Sequence, residues 1–131
     1  MNKKGFTLIE LIVTIALLAV IAVISFVSIS KALEQGRKND CISLVGNIEN
    51  AVNEYVSDNR YNSSFINTVA DHKITIGGTT LVNGKYIGPI INPYTNKEDI
   101  TESISILVTL KDNYTVKSVE ITNPAVLKEC K

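Results

Sequence analysis

The chain has 131 residues, with 13 Lys+Arg against 13 Asp+Glu and 45% apolar side chains. Zero formal net charge excludes a nucleic-acid binder working through bulk positive charge, and the apolar content excludes an acidic disordered tail. The length fits one domain, but the apolar residues are concentrated at one end.

Residues 11–30 read LIVTIALLAVIAVISFVSIS and carry no charge. At about 1.5 Å per residue such a helix spans roughly 30 Å, the thickness of a bilayer's hydrocarbon core. Lys3 and Lys4 stand before it, so the positive-inside rule keeps the N-terminus in the cytoplasm and exports the rest. A secretory signal would use a shorter apolar run ending in small residues, and no such site follows Ser30. A lipoprotein needs a Cys directly after the run, but the first is Cys41. Past residue 30 there remain 101 residues with 11 basic and 12 acidic side chains, enough for one small exported domain.

Glu10 disturbs the picture of a simple anchor. It lies between Phe6-Thr7-Leu8-Ile9 and Leu11-Ile12-Val13, with no Lys or Arg inside the apolar run. A carboxylate in a membrane helix costs a few kcal/mol, so it calls for a partner. A cut between Gly5 and Phe6 would create an α-amino group at Phe6. Within one rigid helix that cation does not easily meet Glu10, whereas it can meet Glu10 of a neighbouring copy and fix the stagger between subunits.

The segment KKGFTLIELIVTIALLAV resembles the N-terminus of type IV pilins and pseudopilins, with their class III signal peptide. The likeness covers about residues 3–30 and rests on a short basic leader ending in Gly, then Phe-Thr-Leu-Ile-Glu, then an apolar stretch. It implies that a prepilin peptidase cuts after Gly5 and N-methylates Phe6. It also implies that Glu10 serves assembly. Two positions depart from many relatives. Val27 stands where they carry proline, and Ala19 where they carry glycine. Proline would remove a helix hydrogen bond. Without either breaker, the expectation is a continuous helix through 19–27.

Beyond Ser30 the helical period continues with a polar outer face. Cys41, Leu44, Val45, Ile48, Val52, Tyr55 and Val56 form one apolar stripe, while Lys38, Asp40, Glu49, Asn50, Asn53 and Glu54 fill the other positions. Gly36 and Gly46 each lower helix propensity by up to about 1 kcal/mol. Asp58-Asn59-Arg60 is the expected end. A helix from Phe6 to about residue 58 would be roughly 80 Å long. No small domain buries that rod, so its first half needs lipid or copies of itself.

The sequence then predicts a loop over 61–72 and strands over 73–76, 79–82 and 85–87. Asn83-Gly84 suggests a tight hairpin turn between the last two. Alternation over 103–110 puts Ile104, Ile106, Val108 and Leu110 on one face. In the following strand, 114–121, Val116 falls out of phase with Val119 and Ile121, which a bulge near Lys117-Ser118 would explain. The expected fold is α+β: leader 1–5, hydrophobic assembly helix 6–30, and a globular domain 31–131. That domain comprises helix 31–58, loop 61–72, a β-meander over 73–122 and a C-terminal tail 123–131. The family resemblance implies the same architecture.

Cys41 and Cys130 both fall outside the cytoplasm in this topology, where disulfides persist. The expected reading is a Cys41–Cys130 disulfide that ties the C-terminal tail back to the helix; the alternative is one buried thiol and one terminal thiol. A zinc site is not expected, since His72 is the only His and no close Cys pair exists. Glu98, Asp99 and Glu102 read as a solvated acidic loop, although carboxylates of this kind can bind Ca²⁺. Asn62-Ser63-Ser64 and Asn113-Tyr114-Thr115 match the N-glycosylation pattern. No catalytic set, phosphate loop or nucleotide motif is apparent, and no cofactor is expected.

The functional expectation is therefore a non-enzymatic structural subunit of a type IV pilus. As the resemblance implies, it waits as a single-pass protein in the cytoplasmic membrane and is processed by prepilin peptidase. An assembly platform and its ATPase motor then polymerise it into a surface homopolymer, with minor pilins as possible additions. Adhesion, twitching motility and DNA uptake are the roles such filaments serve; a surface ligand is not specified. The alternatives are a pseudopilin of a competence or type II secretion apparatus, or a membrane-anchored binding module that never polymerises.

Overall fold

The computed structural model describes residues 5–130. Lys3, Lys4 and the rest of the leader before Gly5 lie outside the described residues, as does Lys131. Helix α1 covers Leu8–Asn59 without interruption, so no break falls between Ala19 and Val27. Its β-branched residues weaken helix propensity only slightly. Three hydroxyls in the apolar stretch are absorbed by the helix itself. Thr14 Oγ1 donates to the Glu10 carbonyl at 2.7 Å, Ser28 Oγ to Ile24 at 3.3 Å and Ser30 Oγ to Phe26 at 2.9 Å. Such back-bonding removes the cost of an unpaired hydroxyl in an apolar medium.

The chain divides into two compact units, one ending at Gly36 and the other starting at Arg37. In the first, every described residue is exposed, and exposure persists to Asp40. The second unit holds the core. From α1 it takes Cys41, Val45, Ile48, Ala51, Val52 and Val56, all buried. Leu44 and Tyr55 of the expected stripe are half-buried, and Ala51 joins it.

Opposite this stripe lies an antiparallel sheet in the order β1 (Lys73–Gly77), β2 (Ser105–Leu110), β3 (Val116–Asn123). Ile74 and Ile76 of β1 face inward with Ile106, Val108 and Leu110 of β2 and Ile121 of β3. The cross-strand rows are Ile76–Ile106–Ile121 and Ile74–Val108–Val119. Thr109 pairs with Ser118 and Leu110 with Val116, so Lys117 is the extra residue of a bulge. That bulge returns Val116 to the inner face, as its phase slip in the sequence requires. A second irregularity leaves Thr122 between the pairs Ile106–Ile121 and Ser105–Asn123; its Oγ1 donates to the Ser105 carbonyl at 3.0 Å.

Two expectations need correction. The hairpin over 79–87 does not form. Helix α3 (Gly78–Asn83) replaces it, with Leu81 fully buried and the Gly84 N–H closing it on the Thr80 and Val82 carbonyls. Gly84 is right-handed helical, and the left-handed residue is Lys85 (φ 62°), so Asn-Gly ends a helix instead of making a tight hairpin turn. Burial of Leu81 overrides the local strand preference of Thr79, Thr80 and Val82. The loop 61–72 contains helix α2 (Ser63–Thr68), pinned by buried Phe65. The C-terminal tail contains helix α4 (Ala125–Lys128), which buries Leu127, and Cys130 is buried beyond it.

Between α3 and β2 the chain folds into a short ladder. The Ile100 N–H donates to the Ile90 carbonyl at 2.8 Å and the Asn92 N–H to the Glu98 carbonyl at 2.8 Å. The buried Ile90 N–H donates to Thr101 Oγ1 at 2.9 Å, just before a 3₁₀ turn over Thr101–Ser103.

Candidate functional site

Glu10 lies in the first turn of α1, and the fold gives it a local partner that the sequence reading missed. The Thr7 N–H donates to Glu10 Oε2 at 3.1 Å, while the Glu10 N–H donates to Thr7 Oγ1 at 3.3 Å. This reciprocal pair is a capping box, with Thr7 as the N-cap and Glu10 three residues on. The Leu11 N–H donates to the Thr7 carbonyl at 3.2 Å and starts the helical ladder. The Thr-x-x-Glu spacing before an apolar run was the available signal. The carboxylate also sits at the positive end of the helix dipole.

Around this turn the surface is apolar and open. Phe6 is 88% exposed, and Leu8, Ile9, Leu11 and Ile12 are each more than half exposed. A Cβ built on Gly5 meets nothing within 4 Å. Packing inside the subunit therefore does not require glycine at that position. The group the fold brings to the Glu10 carboxylate is the Thr7 N–H, not Phe6. A carboxylate thus held and aimed at the helix N-terminus can accept a further cation delivered from outside.

The two cysteines meet within the second unit. Cys41 and Cys130 form a disulfide across 89 residues, with Cα atoms 5.3 Å apart and both side chains buried. The bridge fastens α4 to α1.

The remaining polar candidates have local structural partners. Asp99 Oδ1 accepts from the Thr101 N–H at 2.9 Å. The Thr101 hydroxyl, and then its N–H, hold the Asp99 carboxyl below the usual carboxylate range. Glu98 Oε2 accepts from Asn92 Nδ2 at 3.4 Å. Among the described residues, no three His, Cys, Asp or Glu side chains gather as metal ligands. His72 is exposed, with Nε2 3.7 Å from Asp112 Oδ1. Asn62 Oδ1 accepts from the Ser64 N–H at 2.9 Å and caps α2. Asn113 Oδ1 accepts from the Thr115 hydroxyl at 2.6 Å in the β2–β3 turn. Both glycosylation-pattern asparagines therefore organise backbone.

Tyr55 is flanked edge-on by Phe65 (centroids 5.9 Å) and Tyr86 (5.5 Å), joining α1 to α2 and to the segment after α3. The Tyr86 O–H donates to Asp58 Oδ2 at 2.9 Å.

Among the described residues one helix, α1, is long and apolar enough to cross a membrane. No curated protein and no solved structure matches the chain. A family model does match, over residues 1–26, and its description is the prokaryotic N-terminal methylation motif. Gly5, Phe6, Thr7 and Glu10 all fall within that match, and the segment is similar to the class III signal peptide of type IV pilins and pseudopilins.

Proposed function

We propose that the chain is a structural subunit of a type IV pilus, cleaved after Gly5, methylated at Phe6 and polymerised through α1. The observation that carries this reading is a capped Glu10 at the head of an exposed apolar helix, inside the methylation motif. Before assembly the helix rests in the cytoplasmic membrane with the domain outside. The prepilin peptidase removes the leader; Gly5, which no intramolecular contact requires, is the residue it reads. An assembly platform and its ATPase motor then move subunits from lipid into a fibre at the cell surface. Helix contacts replace lipid contacts there, and the Phe6 amine of one subunit meets Glu10 of another. In a low-dielectric core an unpaired carboxylate costs several kcal/mol, so this pairing selects one stagger. The protein performs no chemistry of its own.

The same N-terminal features fit a pseudopilin of a competence or secretion apparatus, which differs in fibre length and in what the outer domain touches. Adhesion, motility and DNA uptake are roles for that outer surface. Glu10→Ala tests the polymer reading. The expected protein is cleaved and membrane-bound but absent from sheared surface fibres, whereas Gly5→Val remains uncleaved. Surface fibres of normal yield from Glu10→Ala would overturn the reading.

A further inference from the structure

We infer that the Thr7–Glu10 capping box is a positioning device for leader removal: it starts α1 at Leu8 and so keeps the Gly5 carbonyl outside the helix, open to attack. This role rests on the reading that a peptidase cuts after Gly5. Hydrolysis there adds water across the Gly5–Phe6 peptide, leaving a carboxylate on Gly5 and an amine on Phe6. The peptidase must reach the Gly5 carbonyl carbon and hold its oxygen while negative charge develops on it. Residues 5–7 precede the helix and are exposed, Phe6 by 88%. The Thr7 carbonyl, which accepts from the Leu11 N–H at 3.2 Å, begins the helical ladder. The Glu10 N–H, which in a longer helix would turn back to the Phe6 carbonyl, is taken by Thr7 Oγ1 at 3.3 Å. Among the described residues no group donates to the Gly5 carbonyl.

The neighbouring residues dictate what happens without the box. Helices prefer Ser, Thr, Asp, Asn or Gly as N-cap, and Leu, Ile and Val serve poorly. Downstream of Thr7, the run from Leu8 to Val13 offers no favoured cap. Upstream, Gly5 is the nearest one, past Phe6. A helix capped at Gly5 uses the Gly5 carbonyl as its first acceptor, bonded to the Ile9 N–H. The scissile carbonyl is then tied into the first turn and closed to the enzyme. The box therefore chooses between two helix starts, one cleavable and one not, and Thr7 acts through backbone geometry without touching the reacting atoms.

Cleavage of the full-length precursor in detergent micelles by membranes carrying prepilin peptidase tests this role, with the Phe6 Cα shift read by NMR on the uncut chain. Thr7→Ala should lower kcat/KM about fivefold, the factor equivalent to a cap of about 1 kcal/mol, and should act through KM. The same variant should move the Phe6 shift towards its helical value. Thr7→Ser and Thr7→Asp, which retain a capping oxygen, should match the wild type in both readouts. Thr7→Ala cut at the wild-type rate, or slowed with an unmoved Phe6 shift, would overturn the inference. So would Thr7→Asp as slow as Thr7→Ala, since the enzyme would then be reading the threonine itself. All three results leave cleavage after Gly5 standing, whereas a wild-type chain that stays uncut there would overturn that reading and this role together.

Discussion

Thr7 and Glu10 cap each other: the Thr7 N–H reaches Glu10 Oε2 at 3.1 Å, and Thr7 Oγ1 receives the Glu10 N–H at 3.3 Å. The acid that the filament reading needs is thus already oriented before any neighbour arrives. Glu10 has two separable properties, an oxygen for the cap and a charge for a partner. Glu10→Gln keeps the first and loses the second. It should preserve the exchange protection of amides 8–11 yet abolish sheared fibres. Thr7→Ala should do the reverse, loosening the first turn by about 1 kcal/mol while fibres still form at reduced yield. Normal fibres from Glu10→Gln would show that hydrogen bonding, not charge, is what matters.

The Cys41–Cys130 bridge closes a loop of 89 residues. On the chain-entropy model its removal costs about 4–5 kcal/mol. The Cys41→Ala/Cys130→Ala double variant should therefore show a large fall in Tm. Release of α4 should also expose Leu127 and the β3 side of the core. Peptide mapping without reductant should recover the Cys41–Cys130 pair. Two thiols that alkylate in native protein would contradict the bridge.

Gly78 and Gly36 make opposite predictions. A Cβ at Gly78 would collide with the Thr101 carbonyl and lie 2.8 Å from Ile104 Cβ, where backbone cannot yield cheaply. Gly78→Ala should destabilise the domain by about 1–3 kcal/mol, an overpacking cost measurable by denaturant melts. Gly36→Ala should leave the same melt unchanged or slightly raised.

Two groups give a pH dependence with known sign. The Asp99 carboxyl is held low by the Thr101 hydroxyl and N–H, so its stabilising contribution is complete above the ordinary carboxylate value. That contribution fades as pH falls through the depressed value. The Tyr86 phenol is raised, first by its hydrogen bond to Asp58 and then by desolvation. Its contribution is complete below the ordinary phenol value and is lost as pH climbs through the raised one. Thr101→Val should return Asp99 towards normal titration in an NMR experiment. It should also cost about 1–3 kcal/mol by stranding the buried Ile90 N–H. Unchanged Asp99 titration would show that Thr101 is not the cause.

The parts of the fold set by periodicity were legible in the sequence. The stripe through Cys41, Val45, Ile48, Val52 and Val56 repeats at helical spacing and is buried. The alternation of Ile104, Ile106, Val108 and Leu110 marks the central strand, and the phase slip at Val116 marked the bulge in β3. What escaped depends on contacts distant in sequence or on caps. Leu81 becomes a buried anchor only because Gly78 lets the backbone approach Thr101 and Ile104. Likewise α4 is held by the burial of Leu127 and by the bridge from Cys130 to Cys41, 89 residues earlier. The caps at Thr7 and Asn62 were readable from residue type and spacing. At the site, Gly5, Phe6 and Glu10 stand out because a carboxylate in an apolar run demands an explanation; Thr7 makes no such demand.

The most direct measurement is a side-chain-resolution electron cryo-microscopy map of the fibres this chain forms. The account predicts subunits that begin at a methylated Phe6, with that amine within ion-pair distance of Glu10 on an adjacent copy. Subunits that retain residues 1–5, or a Glu10 whose carboxylate meets no cation from a neighbour, would contradict it.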